Sequence, residues 1–484
     1  MLTVEEITSF LNKDATDSLK RRAREGQRYY EGIHDIRNYR ILIPDANGEY
    51  VEDKTHSNVK ISHPFFTELV DQTVQYMLSN KEAIIKSDNP DLQAELDEYF
   101  DDDFKAELND LLTGVVAKGF DYLYVYKNSE GRLTFQWADG LGIIEVRSKD
   151  TNDHCDYIIY HYVDRIDDDG EKIEKIQVWD KKQVWYYIRE GAGAVELDKN
   201  RPLNPEPHVT YTKGENDENI YYEEFGFIPF FRLDYNRKRV SALAPIKALI
   251  DDYDIMSCGM SNNLQDLAEG IYVVRNYQGE NIDELIESVK ARKAVGVDSE
   301  GGLEIQTVNI PYEARQAKLA LDEDNIYRFG MGFNSQKVGD GNITNVVIKS
   351  RYTLLDLKCN KLEIKLRQFL KGIVKIVIDG INSEKGTDYS IRNINFDFTR
   401  ETLTNALDNA NIKQAEAQVK QTEVNTLLMV AERLDNETLM QNICDVLEID
   451  YEEIKDKLPQ PTDELENLIN DEATEGDNPP PAQT

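Results

Sequence analysis

Residues 328–352 read RFGMGFNSQKVGDGNITNVVIKSRY, and this stretch decides how the chain is divided. Four glycines, Gly330, Gly332, Gly339 and Gly341, stand among Asn334, Asp340 and Asn342, a composition that favours a loop. The sequence on either side is helical in period. Upstream, a helix is expected to open at Pro311, where a missing N–H does no harm, and to run to about 328. Downstream, Ile348, Tyr352, Leu355, Cys359, Leu362, Leu366, Phe369, Ile373 and Val377 hold one stripe over 345–379. Leu354, Ile364 and Ile376 widen that stripe, as in a helix packed on more than one side. The glycines then mark a polar finger between two helices: Gly330 and Gly332 end the first, and Thr344 or Asn345 caps the second. A phosphate-cradling loop is the competing reading. It fails because GMGFNS has Ser335 where the third glycine should fall, and because it follows a helix rather than a strand.

Working towards the N-terminus, residues 269–310 read as strand, helix, strand, glycine turn and strand, in an insert too small to hold a sufficient core. Its strands IYVVRNY and LEIQTVNI present long edges that invite another strand; a neighbouring copy of the chain is the expected donor, with folding back on its own subunit as the alternative. Before the insert, Ile246, Leu249, Tyr253, Met256, Met260, Leu264 and Leu267 step by three and four, which predicts a helix from Ser241 spanning roughly 40 Å. Between 122 and 239 the period changes to two. YLYVYKNSEGRLTFQW and CDYIIYHYVDRIDDDGEKIEKIQVWDKKQVWYYIRE alternate around turns and predict a tyrosine-rich antiparallel sheet. Helices are expected over 3–31, over HPFFTELVDQTVQYMLSN, and over 91–118. After the short strand SIRNINFDF, further helices are expected over 405–458, and the acidic, proline-rich tail from 460 reads as disordered. The fold class is α+β.

Formal charge is −35, from 91 acidic against 56 basic residues. That balance excludes strong adhesion to nucleic acid over a broad face, because lysine and arginine neutralising phosphate supply most such affinity. The basic run Lys20, Arg21, Arg22, Arg24 reads as a solvated face, and Arg237, Lys238, Arg239 as a cluster with a carboxylate or phosphate close by. Cys155, Cys258, Cys359 and Cys444 form no CxxC pair, against both a disulfide framework and a zinc module, and a reducing compartment fits them best. No run approaches the length needed to cross a bilayer, and no secretory leader is apparent. In DRIDDDGEKIEK, taking Gly170 as the turn glycine puts Arg165 and Ile176 at the first and twelfth ligand positions, so a polar hairpin turn is expected instead of a calcium loop. His154 and His161 would point to opposite faces of a strand, away from a shared metal. There is no GxSxG and no HExxH, so no catalytic residue, metal site or cofactor is assigned.

The order of two helices bracketing a small insert, a glycine-rich loop, a very long helix and a helical C-terminal block resembles the portal proteins of tailed bacteriophages. The segments that carry the resemblance are collinear: YYEGIHDI (29–36), KISHPFFTELVDQTVQYMLSNK (60–81), EEFGFIPFF (223–231), IKALIDDYDIMSCGMSNNLQDLAEGIYVV (246–274), IPYEARQAKLALDEDNIYRFGMG (310–332) and LDLKCNKLEIKL (355–366). The resemblance implies a multi-domain subunit: a wing over 1–240, a stem helix over 241–268, a clip over 269–310, a second stem helix over 311–329 and a tunnel loop over 330–345. A long helix returning to the wing would follow over 346–404, then a crown over 405–459 and a tail over 460–484. It further implies a ring of twelve copies at one capsid vertex of the virion, assembled in the host cytoplasm, with no enzymatic activity and no membrane. Double-stranded DNA would pass through this ring, and the terminase large subunit, the head–tail connector, and the major capsid and scaffolding proteins would be its partners. In that ring Asn334, Gln336, Lys337 and Asn342 would touch DNA, and Tyr272, Val274, Leu303 and Ile305 would form the clip interface. The readings set against this are a metal-dependent nuclease or nucleotide hydrolase using clustered carboxylates, and another capsid-associated scaffold.

Overall fold

In the computed structural model the expected helix over 3–31 is two helices, α1 (Val4–Ala15) and α2 (Ser18–Tyr30), because the Asp17 side chain accepts from Leu19 N–H and restarts the helix there. The structure describes residues 1–45, 47–54, 56–80, 82–128, 131–148, 155–213, 219–266, 271–275, 302–306, 311–334, 345–400, 406–447 and 449–455. Strands β1 (Leu42–Pro44) and β2 (Tyr50–Glu52) form a hairpin, followed by α3 (Phe65–Met77) and β3 (Ile85–Ser87). The expected helix over 91–118 also divides, into α4 (Pro90–Tyr99) and α5 (Asp102–Lys118). Asp101 interrupts it by accepting from Phe104 N–H at 3.0 Å.

The alternating runs form sheet as read. Strands β4 (Phe120–Lys127) and β5 (Leu133–Ala138) make a hairpin, and β14 (Phe230–Asp234) pairs on the other edge of β4. A larger antiparallel sheet has the order β10-β9-β8-β7-β6, with β11 also on β9. Its strands are β6 (Ile143–Arg147), β7 (Cys155–Ile166), β8 (Lys172–Trp179), β9 (Gln183–Glu190), β10 (Glu196–Leu197) and β11 (Glu206–Pro207). The β7–β8 turn is the polar hairpin expected of DDDG, in which Asp167 Oδ1 accepts from the N–H groups of Asp169 and Glu171. A further hairpin joins β12 (Val209–Lys213) to β13 (Asn219–Glu223).

The helical period returns at α6 (Lys247–Asp266), later than the expected Ser241. The Ser241 hydroxyl donates to Ala117 O at 2.6 Å and accepts from Leu243 N–H at 3.0 Å, which draws 241–246 into turns. The insert contributes β15 (Ile271–Arg275) and β16 (Gly302–Gln306), paired antiparallel, and α7 (Tyr312–Gly330) comes after it. Helix α8 (Asn345–Lys385) has 41 residues, roughly 60 Å at 1.5 Å per residue. Strand β17 (Ile394–Phe396) pairs with β3. The main core joins α3, α5, β4 and α8 through residues such as Phe66, Leu111, Leu112, Val115, Leu123, Leu362, Leu366 and Ile373. On α8 the buried row runs through Leu370, Val374 and Ile378 as well, while Phe369 is only partly covered and Leu354 and Ile364 are exposed instead of buried.

The chain divides into two compact units, residues 1–340 with 349–402 and residues 341–348 with 403–484. The second unit contains α9 (Ala406–Met429), α10 (Asn436–Leu447) and α11 (Tyr451–Ile454). The tail from 460 lies outside the described residues. Among the described residues no helix is long and apolar enough to cross a membrane.

Candidate functional site

The site grows from how α7 ends. Its last helical residue is Gly330, and Met331 takes the left-handed conformation (φ 56°, ψ 43°) that closes it, with Gly332 N–H donating to Tyr327 O at 2.9 Å. The helix thus ends at the glycines as expected, although the left-handed residue is Met331. Their role is close approach: a Cβ on Gly330 would come within 2.6 Å of Leu69 Cδ1, and one on Gly332 would overlap Leu69 Cδ2. Without side chains there, the end of α7 lies against α3.

Helix α3 turns Phe66, Leu69, Val70 and Thr73 into the core, leaving Glu68 and Gln72 to grip α7 and the residues just beyond its end. Gln72 binds both backbone groups of Phe333: its Nε2 donates to Phe333 O at 2.7 Å, and its Oε1 accepts from Phe333 N–H at 2.9 Å. The same Nε2 donates to Glu68 Oε1 at 2.9 Å, and Glu68 Oε2 accepts from the Tyr327 hydroxyl at 2.5 Å. Burial, followed by the Glu68 bond, pushes that hydroxyl above its ordinary pKa. The Phe333 ring stacks on Tyr352 of α8, with centroids 4.9 Å apart, and Tyr352 packs on Tyr76 of α3. The two sides of 335–344 are thus pinned to one platform.

Lys358 completes this root from within. It is 5% exposed, and its ammonium donates to Gly330 O at 3.1 Å, among the last carbonyls of α7 where the helix dipole favours a cation. Burial depresses its pKa to about 8. Beside it, burial raises the Cys359 thiol to about 12, which keeps it unreactive.

Among the residues expected to touch DNA, Asn334 donates from Nδ2 to Glu323 Oε1 at 2.7 Å, back onto α7. Gln336, Lys337 and Asn342 lie outside the described residues, as does Thr344. The four expected interface residues fall opposite one another in a single ladder, Tyr272 with Ile305 and Val274 with Leu303, so each strand spends one edge on its own chain. In the basic run near α6, Arg239 Nε lies 3.7 Å from Asp234 Oδ1, the carboxylate expected there, while Arg237 and Lys238 are exposed. In the N-terminal run Arg21, Arg22 and Arg24 are solvated, but Lys20 is buried and paired with Asp14 at 2.5 Å.

A groove of about 740 Å³ beside the root is lined by Glu68, Asp71 and Glu323 with Phe65, Tyr253 and Tyr327, a wall that disfavours phosphate. Sequence reasoning missed the cross-link at its edge. His34 Nδ1 is 2.6 Å from Asp254 Oδ2, and His63 Nδ1 is 2.7 Å from Asp254 Oδ1, tying α6 to the segments before α3. Burial alone would raise the Asp254 pKa, but the bonds from His34 and His63 hold it below the ordinary value. The signal was present only as two histidines inside the collinear segments 29–36 and 60–81. Among the described residues no cluster of histidine, cysteine and carboxylate side chains could hold a metal, and the four cysteines are free.

The chain is similar to known proteins along most of its length. The family described as "Phage portal protein, SPP1 Gp6-like" matches residues 12–457. The portal protein of Bacillus phage SPP1 is 28% identical over 384 residues, 79% of this chain and 74% of that protein. The portal protein of Clostridium phage phiCD119 is 23% identical over 424 residues, 85% of this chain and 89% of that protein. A chain from the virion of a native gene transfer agent particle covers 67% of this chain and 86% of its own length at 12% identity, with a TM-score of 0.38. With a family match running through both units, this chain belongs to the phage portal proteins of the SPP1 Gp6-like family and is a protein of the virion.

Proposed function

We propose that copies of this chain close into a ring, expected to hold twelve, at one vertex of the capsid, and that double-stranded DNA is packaged and ejected through its bore. In this reading the ring has no enzymatic activity of its own. It offers docking surfaces to the terminase large subunit and the head–tail connector, within a shell of major capsid and scaffolding proteins. Residues 1–240 serve as wing, 241–268 and 311–329 as stem, 269–310 as clip, 330–345 as tunnel loop, 346–404 as the long helix with its return to the wing, and 405–459 as crown.

The observation that carries this reading is the root on α3, where Gln72, the Phe333–Tyr352 stack and Lys358 hold the two helices that flank 335–344. A segment meant to meet moving DNA needs fixed ends, because a contact made repeatedly must be positioned by a rigid scaffold. The charge of −35 supports it as well: an acidic bore repels phosphate and keeps the duplex free to slide, while a few polar groups guide it. Lys337 is then the cation offered to phosphates, with Gln336, Asn342 and Asn334 beside it. At the clip, Tyr272, Val274, Leu303 and Ile305 mark a two-stranded ladder that a neighbouring copy would extend. End-on negative-stain images of the purified chain test the proposal, since they should show a perforated ring. A compact monomer at every concentration would refute it. Lys337→Ala should leave rings intact and change DNA retention, and unchanged retention would remove Lys337 from the DNA contact.

A further inference from the structure

We propose that the outer face of α8 is the surface on which a second copy of this chain docks. The inference rests on the ring reading above and names a surface that closes it. Leu354, Leu357, Lys361, Ile364, Lys371 and Lys375 recur along α8 in alternating steps of three and four, with Gln368 completing the series. That spacing lines one face of a helix and matches the seam of a coiled coil. The opposite face is already spent, since Leu355, Cys359, Leu362, Leu366 and Ile373 are buried in the core.

Among the described residues the seam is unsatisfied in two ways. Leu354, Leu357 and Ile364 are 37%, 49% and 62% exposed, on a helix whose other aliphatic residues are largely covered. Lys361, Lys371 and Lys375 reach no carboxylate among the described residues, although the chain has 91 acidic side chains. Their neighbours behave differently: Arg367 pairs with Glu363 at 2.8 Å, and Lys385 pairs with Glu95. The missing partner must therefore be both apolar and acidic. A second copy meets both demands. It carries a net charge of −35, and its α7 exposes Leu321 and Phe329 on the helix that also carries the exposed Glu313. Duplex phosphate would satisfy the lysines but gains nothing from three aliphatic side chains on the same seam.

The test uses the full-length chain, with light scattering on a sizing column and end-on negative-stain imaging across a concentration series. Two variants are compared with the wild type: Leu357→Asp with Ile364→Asp, and Lys361→Glu with Lys371→Glu and Lys375→Glu. Both should raise the concentration needed for assembly by roughly tenfold or more, as loss of a seam contact in each interface requires. Helix content by circular dichroism should stay at the wild-type value, because every substituted position is exposed. If the aspartates disturb folding, Leu357→Ser with Ile364→Ser decides in their place. A wild type that never assembles refutes the ring reading itself. A wild type that assembles while the variants assemble equally well overturns this inference and leaves the ring standing. A lysine variant that forms normal rings but loses duplex DNA assigns the face to phosphate, and overturns it too.

Discussion

Replacing Lys358 by methionine isolates the group that holds the end of α7. In the folded chain its pKa is depressed from 10.5 to about 8 by burial. Between those values the unfolded chain keeps a proton that the folded chain has released, so stability rises as pH climbs through this window. Below about 8 both states are protonated, and the penalty of burying the charge is present in full. Applying the linkage relation between pH 7.5 and 9.5 gives a gain of about 2 kcal/mol from this side chain alone. Other groups oppose it. Cys359 is raised from 9.0 to about 12, so its unfolded thiol ionises first and stability falls as pH rises through the same range. The informative quantity is therefore the difference between wild type and Lys358→Met, which retains the cysteine. Urea unfolding at fixed protein concentration, at pH 7.5 and 9.5, should show the wild type gaining on the variant by about 2 kcal/mol. An offset that stays constant with pH would mean that Lys358 keeps its proton in the fold, and the account of the root would fail.

Gly332→Val places a branched side chain against Leu69 and should destabilise the fold by about 1–3 kcal/mol, with Leu69→Ala recovering part of the loss in the double variant. Additive losses in the denaturation midpoints would rule out the contact. Gln72→Ala removes both hydrogen bonds to the Phe333 backbone, and amide exchange at 331–334 should quicken roughly fivefold or more while the global melt moves little. Unchanged exchange there would show that the grip lies elsewhere. Asp254→Asn takes the charge from both histidines and leaves one of them without an acceptor oxygen, and should lower stability by about 1–3 kcal/mol at neutral pH. Because the Asp254 pKa is held below 3.8, the wild-type advantage is present above that value and disappears as pH falls through the depressed folded pKa. An advantage that persisted in strong acid would argue against the cross-link.

Periodicity carried most of the architecture. The step of three and four located α7 and α8, and the step of two located the hairpins β4–β5 and β7–β8, because burial on one face imposes these spacings directly. Boundaries were lost where a short polar side chain competed with the helix, at Asp17, Asp101 and Ser241. A hydroxyl that bonds Ala117, more than a hundred residues away, has no local signature in the sequence. The exposed row on α8 shows a second limit: an apolar residue at helical spacing need not be covered by its own chain, since among the described residues Leu354 and Ile364 are left exposed. At the site, the glycines of 328–352 were legible as a break, yet their reason was not, since it lies in Leu69 of α3. Lys358 is one of several cations along α8, and only its burial distinguishes it.

The stacking of Phe333 on Tyr352 has an evolutionary consequence. When both anchors of a segment are fastened to the same scaffold, the placement of the anchors does not depend on the length of chain between them. Doubling the number of residues between such anchors would cost only about 0.6 kcal/mol in closure entropy. A change in the number of residues between 334 and 345 is therefore expected to leave the frame at Gln72, Phe333 and Tyr352 in place, so that one scaffold can serve different genomes.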